Sequence, residues 1–436
     1  MRRKLNPMVR IALTANIFEW YEFSLTAFMA LEIGRLFFPA VGDKTALMLS
    51  FSVFASSYLA RPIGGVFFGI WGSRHGAGSA LKLSMIGMAI PASLIAFLPT
   101  YPSTGYLATG LLLALKILQG FAAGGEVPMS GYYVSLNTPD KSRGLYCSLV
   151  AISGFLGMLL ASFVVFVLPY CAMAASWLTG ERHIGYLAEP WRWPFLLCIP
   201  LSLWVFSIRS SISTTPVDTA STSHASHKRP IAPLIQALVL VAFMEMHIYT
   251  VFVWLPSYLH SYLGVASFDA RLTNVIALIA FSLAMVIAGY ATRWIAAPKL
   301  VLFGIGSLVI SAYPLFALLQ GGGFVILLSV QLAFAAMAGC LVGVIFIVLP
   351  DLFKNNWKSL GMTVSYALST AIFGGTAPLV CAYLVQRTHL LTAPAFYIIA
   401  LGLLAVPVAW RLAFKTQDNF GTAETGQAPF ESKPAL

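Results

Sequence analysis

Two glutamates, Glu19 and Glu22, fall near the middle of the first long apolar stretch of this 436-residue chain, residues 8–38. They stand three residues apart, so on a helix they share a face. A carboxylate at mid-bilayer depth costs about 2.5–3.5 kcal/mol on insertion scales, so such a group is aimed at a protein interior or a watery cavity. Its chemistry there is to take up and release a proton, or to hold a cation. Four more charged side chains sit inside later apolar stretches: Arg61, Lys116, Glu126 and Glu245. A chain that needed only anchoring carries no such set. Something polar enters the plane of the membrane.

The surroundings of these charges leave alternatives. Glu126 follows Gly124-Gly125 and precedes Pro128. The glycines lower the side-chain wall, and the proline frees a carbonyl one turn earlier. That fits either a packing kink with its carboxylate tied to a basic partner, or a substrate or proton site. Lys116 lies ten residues before Glu126, about 15 Å along a helix and roughly 80° around it, so each needs a partner on another span. Arg61 precedes Pro62 and a Gly64-Gly65 surface; it could pin span two to span one through Glu19 or Glu22, and still take part in a proton switch. Glu245 is a candidate coupling group, and the neighbouring His247 reads as an interior histidine with its hydrogen bonds satisfied. Trp20, Tyr21, Tyr249, Trp254 and Tyr366 flank the same route. Membrane aromatics are mostly packing, but several facing a cavity would hold a quaternary ammonium by cation–π contact. The pairs Gly120…Gly124 and Gly339…Gly343 read as helix-packing surfaces.

The elements that must position these residues are long apolar helices. The chain is 59% hydrophobic and 9% charged, with a mean hydropathy of +0.84, too few charges to cover a soluble protein of this size. The net charge of +11 is scattered between apolar stretches, which fits topology and not a nucleic-acid surface. The five cysteines are isolated, so neither a zinc site nor a disulfide framework is expected. Arg2-Arg3-Lys4 before an apolar run mimics a signal peptide, but the run is long, carries two glutamates and lacks a cleavage site; it reads as a retained first helix.

About 20 apolar residues cross a bilayer, and on that ruler twelve spans emerge: 8–38, 46–71, 79–99, 105–136, 144–170, 191–212, 231–263, 271–296, 299–319, 323–350, 360–386 and 391–414. The polar break at 213–230, rich in Ser, Thr and His, divides them six and six. The expected organisation is an N-terminal lobe over 1–212, a cytoplasmic linker over 213–230, a C-terminal lobe over 231–414 and a short disordered tail over 415–436. With both termini cytoplasmic, only Arg35, Lys44, Arg182, Arg192, Arg271 and Arg387 of the 26 basic residues fall on the opposite side, in keeping with the positive-inside rule. The turn after span four, Pro139-Asp140-Lys141-Ser142-Arg143-Gly144, is echoed after span ten by Pro350-Asp351 and Lys358-Ser359-Leu360-Gly361. Such internal symmetry marks a two-lobed transporter with its site between the lobes. The predicted fold is an all-α membrane protein of twelve transmembrane helices in two pseudo-symmetric six-helix lobes.

Six motifs in order carry a resemblance. They are Asn16-Ile17-Phe18-Glu19-Trp20-Tyr21-Glu22-Phe23, Ala60-Arg61-Pro62-Ile63-Gly64-Gly65, and Leu118-Gln119-Gly120-Phe121-Ala122-Ala123-Gly124-Gly125-Glu126 in the first half. Trp191-Arg192-Trp193-Pro194-Phe195, Leu255-Pro256-Ser257-Tyr258-Leu259 and Phe373-Gly374-Gly375-Thr376-Ala377-Pro378 follow. From about residue 10 to 414 the chain resembles the major facilitator superfamily. Within it, the pattern is similar to the metabolite:proton symporters that include proline/betaine and α-ketoglutarate carriers. The resemblance implies a gating loop at Gly69, Gly72, Arg74 and Gly76. Ser73 stands where the family has an aspartate, Ala77-Gly78-Ser79 where it has basic residues, and Glu22 where it usually has an aspartate.

Together these observations predict a multi-pass protein of the bacterial inner membrane, a monomer in a lipid bilayer, importing a small polar metabolite by proton symport with alternating access. Proline or betaine is the favoured substrate class; a di- or tricarboxylate is the alternative. Glu22, Glu126, Glu19 and Glu245 are the candidate proton-coupling residues, and Trp20, Tyr21, Arg61, Lys116, Gln119, Tyr249 and Tyr366 the candidate substrate contacts. The proton is the coupling ion; no cofactor, metal or nucleic-acid partner is expected. Drug efflux is disfavoured because span five lacks a Gly-Pro motif, and an enzyme because no catalytic cluster is present. A sensor without transport remains the reading from another class.

Overall fold

The computed structural model describes residues 7–75, 77–125, 140–179, 189–210, 231–353 and 358–421. Among them every regular element is helical, and the helices form twelve successive units. α1 is Pro7–Phe28, bent at Met29 and continued by Ala30–Phe37. α2 is Asp43–His75, α3 Ala77–Ile95, and α4 Tyr106–Ala122 with a 3₁₀ turn at Ala123–Gly125. α5 is Asp140–Thr179, and α6 opens with a 3₁₀ turn at Pro190–Arg192 and runs through Trp193–Leu196 and Cys198–Ser210. α7 is Ile231–Ile248, a π-helical stretch Tyr249–Trp254, then Leu255–Ser261. α8 is Ser267–Ala291, α9 Ala297–Leu319 and α10 Phe324–Asp351. α11 is Lys358–Ser369, a second π-helical stretch Thr370–Gly374, then Ala377–Thr388, and α12 is Ala393–Gly421. Eight of the described helices are long and apolar enough to cross a bilayer, and α3 and α4 supply shorter apolar segments.

The packing repeats with a shift of six. In the first half α1 packs on α5 and α6, α4 on α2 and α3, and α3 on α6; in the second α7 packs on α11 and α12, α10 on α8 and α9, and α9 on α12. The α2–α4 and α8–α10 contacts rest on the same device. A Cβ on Gly120 would lie 1.7 Å from the Ser57 carbonyl oxygen, and one on Gly339 2.3 Å from the Ala284 Cβ. Only glycine lets the backbones meet, as the two glycine pairs predicted. The lobes then join through α5 against α8 and α10, α2 against α11, and α1 against α7.

Two motifs prove to be fasteners. Arg192, fully buried, donates from Nη1 to the Ala96 and Leu98 carbonyls, 2.8 Å each, and from Nε to Glu189 at 3.0 Å. It caps the C-terminal end of α3, where carbonyls lack helical partners. The expected gating loop is mostly helix. Gly69 and Gly72 lie within α2, Arg74 is exposed in its last turn, and Gly76 falls outside the described residues. Trp71 stacks on His75 and donates from Nε1 to Ser79 at 3.1 Å, closing this turn without the family's charges. The linker at 213–230 also falls outside the described residues, and α12 continues to Gly421, so the polar tail starts after it and not at 415.

Candidate functional site

A cavity lies between the lobes. α1 gives it Asn16 and Trp20, α5 Ala151, Gly154 and Phe155, and α7 Met244, Glu245 and Ile248; α10 adds Val342 and Phe346, and α11 Tyr366. Glu245 is its one charged lining residue among the described residues, and it accepts a hydrogen bond from the Tyr366 hydroxyl. Trp20 and Phe155 lie 6.4 Å apart on one side, and Phe346 stacks on Tyr366 at 6.0 Å on the other. Asn16 is held by its amide donating to Ser153 at 2.8 Å. The walls are therefore aromatic faces with one carboxylate, a surface suited to a small organic cation.

A second polar group is buried inside the N-terminal lobe. Glu22 accepts a hydrogen bond from Ser202 on α6, whose hydroxyl also reaches the Cys198 carbonyl at 2.7 Å. Lys116 on α4, fully buried, donates to Gln119 at 2.7 Å and lies 4.8 Å from the Phe23 ring centre. Arg61 stands between this group and the cavity. Its guanidinium covers Phe23 at 4.1 Å and Tyr58 at 4.2 Å, with Trp20 at 6.0 Å, and its Nε has no hydrogen-bond partner. Among the described residues no ion pair joins Arg61 to Glu19 or Glu22, so aromatic faces and not a carboxylate pin it. Arg61 acts electrostatically on both Glu245 and Lys116, and Lys116 on Glu22. The charges run carboxylate, guanidinium, ammonium, carboxylate from the cavity wall into the lobe.

Tyr58 on α2 and Tyr249 on α7 share a hydrogen bond across the lobes, with Phe54 packed against both rings. Gly375 on α11 makes room, since a Cβ there would lie 2.2 Å from the Tyr58 Cβ. This bar lies beside the cavity on the side where α1 and α7 finish and α8 begins, here termed the outer end.

The sequence-predicted residues thus separate into groups. Trp20, Glu245 and Tyr366 line the cavity, and Arg61 and Tyr249 lie beside it. Glu22, Lys116 and Gln119 gather inside the N-terminal lobe, and Glu19 is buried in α1. Tyr21 turns away: its hydroxyl donates to the Pro194 carbonyl at 2.9 Å, fastening α1 to α6, so it is a packing residue and not a cavity contact. Glu126 falls outside the described residues. His247 has no hydrogen-bond partner at either ring nitrogen and sits between the Phe243 and Phe334 rings, which corrects its reading as a satisfied histidine. Tyr58, Phe155, Phe346 and Ser202 escaped sequence reasoning, since a lone tyrosine, phenylalanine or serine in an apolar helix carries no signal of which face it occupies. Among the described residues no group of side chains could hold a metal ion.

Two six-helix lobes of repeated packing around a cavity define a membrane transporter of two-lobed architecture. Comparison with known proteins agrees: the Major Facilitator Superfamily profile matches residues 13–366, and the chain belongs to that family. It is 28% identical to the ectoine/proline transporter ProP of Corynebacterium glutamicum, over 92% of this chain and 83% of the relative. It is 26% identical to the proline/betaine transporter of Escherichia coli (strain K12), over 92% and 82%. The xylose transporter XylE from E. coli, in a partially occluded inward open conformation, superposes with a TM-score of 0.70 over 93% of this chain and 97% of XylE, at 17% identity. That likeness is one of fold.

Proposed function

We infer that this chain imports a small zwitterion, of the proline or betaine kind, by proton symport with alternating access across a bacterial inner membrane, as a monomer with both termini cytoplasmic. The observation that carries the reading is the cavity wall: Glu245 among the faces of Trp20, Phe155, Phe346 and Tyr366, with the Arg61 guanidinium in electrostatic reach. The carboxylate and aromatic faces suit the solute's ammonium, and the guanidinium suits its carboxylate. A dicarboxylate would meet Glu245 with like charge. The names of the relatives point the same way, toward proline, ectoine and betaine.

Coupling requires a carboxylate whose proton affinity differs between the two access states, because a ligand shifts an equilibrium only by its differential affinity for them. Glu22 and Glu126 are the assigned coupling residues, with Glu19 beside Glu22. Arg61 links the two ends of the mechanism: a charge change at Glu245 is felt at Arg61, and through Lys116 at Glu22. The test is uptake by proteoliposomes with an imposed pH gradient, offering L-proline, glycine betaine and α-ketoglutarate. Gradient-driven accumulation of either zwitterion is expected; accumulation of α-ketoglutarate alone would overturn the substrate class, and binding without uptake would make the chain a sensor. Cysteines placed at Ser103 and Ser223 test the topology: an external maleimide labels the first, and equal labelling of both would sink it.

A further inference from the structure

A second cavity lies between the lobes nearer the outer end. Its lining includes Ser162 on α5, Ser257 and His260 on α7, and Arg271 and Asn274 on α8. Ser162 stands seven residues beyond Phe155 on α5, and Ser257 and His260 stand nine and twelve beyond Ile248 on α7, roughly 10–18 Å further along these helices. Phe281 on α8 packs on Phe155, a wall of the central cavity, at 4.7 Å and on Phe252 at 4.6 Å.

This outer cavity is equipped for a ligand. Asn274 is 1% exposed; its amide nitrogen donates to Ser162 at 3.1 Å across the lobes, while its oxygen Oδ1 has no partner. A buried amide oxygen left unmatched forfeits a hydrogen bond it had in water, which a ligand N–H would restore. The His260 ring is fixed by Nδ1 against the Val265 carbonyl at 2.9 Å, so Nδ1 carries the proton and Nε2 is a second acceptor. Arg271 gives one nitrogen to the Val165 carbonyl at 2.9 Å and the other to Glu32 on α1. The other oxygen of Glu32, Oε2, is buried without a partner. Glu32 holds the place that a ligand carboxylate would take on the guanidinium.

We propose that this outer cavity is a second binding site, for a small solute carrying both a carboxylate and an N–H group, whose carboxylate displaces Glu32 from Arg271 and so releases α1 from α8. The N–H group bonds to Asn274 Oδ1 and His260 Nε2. Solutes wait here before passing Phe281 to the central cavity, and a quaternary ammonium such as betaine, with no N–H, uses the central cavity alone. The choice of probe rests on the zwitterion reading above.

Equilibrium dialysis of the purified full chain with radiolabelled L-proline and glycine betaine tests this. Two molecules of proline and one of betaine per chain are expected. Asn274→Leu should leave one proline, and Glu245→Gln should leave one proline and no betaine. One proline per chain, indifferent to Asn274→Leu and lost in Glu245→Gln, overturns the outer site and leaves the central reading standing. One proline lost in Asn274→Leu and kept in Glu245→Gln does the reverse. Two bound betaines would overturn the N–H requirement, and no binding of either probe would overturn both readings. Monodisperse elution of each variant shows that a loss is not misfolding; where Asn274→Leu aggregates, His260→Phe removes the second acceptor in its place.

Discussion

Glu22 on α1 and Glu245 on α7 are the same residue type on helices that the six-helix repeat makes equivalent, yet they face different surroundings. Glu245 lines the cavity between the lobes and is held by Tyr366 from its own lobe. Glu22 faces inward, held by Ser202 and near Lys116, out of a solute's reach. One lobe thus offers its carboxylate to the cargo and the other keeps its carboxylate among protein groups. On the proposed reading the difference is a division of labour, with binding at Glu245 and coupling at Glu22 kept apart and joined through Arg61.

The largest effect should come from Glu245→Gln. Losing a charged partner for a buried ammonium costs about 2–3 kcal/mol, roughly 30–150-fold in affinity, read by equilibrium binding of proline or betaine. Glu22→Gln should leave that affinity within about twofold and abolish accumulation driven by a pH gradient, while exchange at equal concentrations survives at least in part; Glu126→Gln should behave likewise. If Glu22→Gln weakens binding as much as Glu245→Gln does, the two carboxylates are not divided as described.

A smaller effect probes the junction of the lobes. Tyr58→Phe removes one hydrogen bond across the interface, worth about 1 kcal/mol or roughly fivefold in the closed-to-open equilibrium at the outer end. Labelling of a cysteine at Ser267 by an external maleimide should speed up by that factor, and an unchanged rate would make the tyrosine pair incidental. The smallest change belongs to Tyr21→Phe. It leaves the Pro194 carbonyl only the weak Cys198 thiol donor and should cost about 1 kcal/mol of stability, seen as a lower midpoint of thermal unfolding, with uptake unchanged. Lost uptake would return Tyr21 to the substrate route.

Tyr21 also shows what the sequence could and could not reveal. Trp20 and Tyr21 are adjacent, and adjacent helical residues point about 100° apart, so a helix that turns Trp20 to the cavity turns Tyr21 to α6. The twelve spans were legible because membrane helices are selected by length and hydropathy; most expected bounds fall within a few residues of the helices found, but span five runs on to Thr179 and span twelve to Gly421, and the expected end of span four lies outside the described residues. The carboxylates stood out because charge in an apolar span is costly. The aromatic walls were not legible. Phe155 and Phe346 differ from dozens of packing aromatics only by the face they present, which depends on how one lobe sits against the other. Arg61 was expected to reach a carboxylate, and among the described residues three rings flank its guanidinium.

The π-helical stretches of α7 and α11 carry a mechanical consequence. Each is closed by a hydrogen bond spanning five residues, from the Leu255 N–H to the Thr250 carbonyl and from the Gly375 N–H to the Thr370 carbonyl. Each therefore stores one surplus residue, and the two stretches lie in helices packed side by side. Drawing that slack out rewinds a helix by one register and rotates everything beyond it by about 100°. The C-terminal lobe thus has two adjoining ratchet teeth at the depth of the Tyr58–Tyr249 contact.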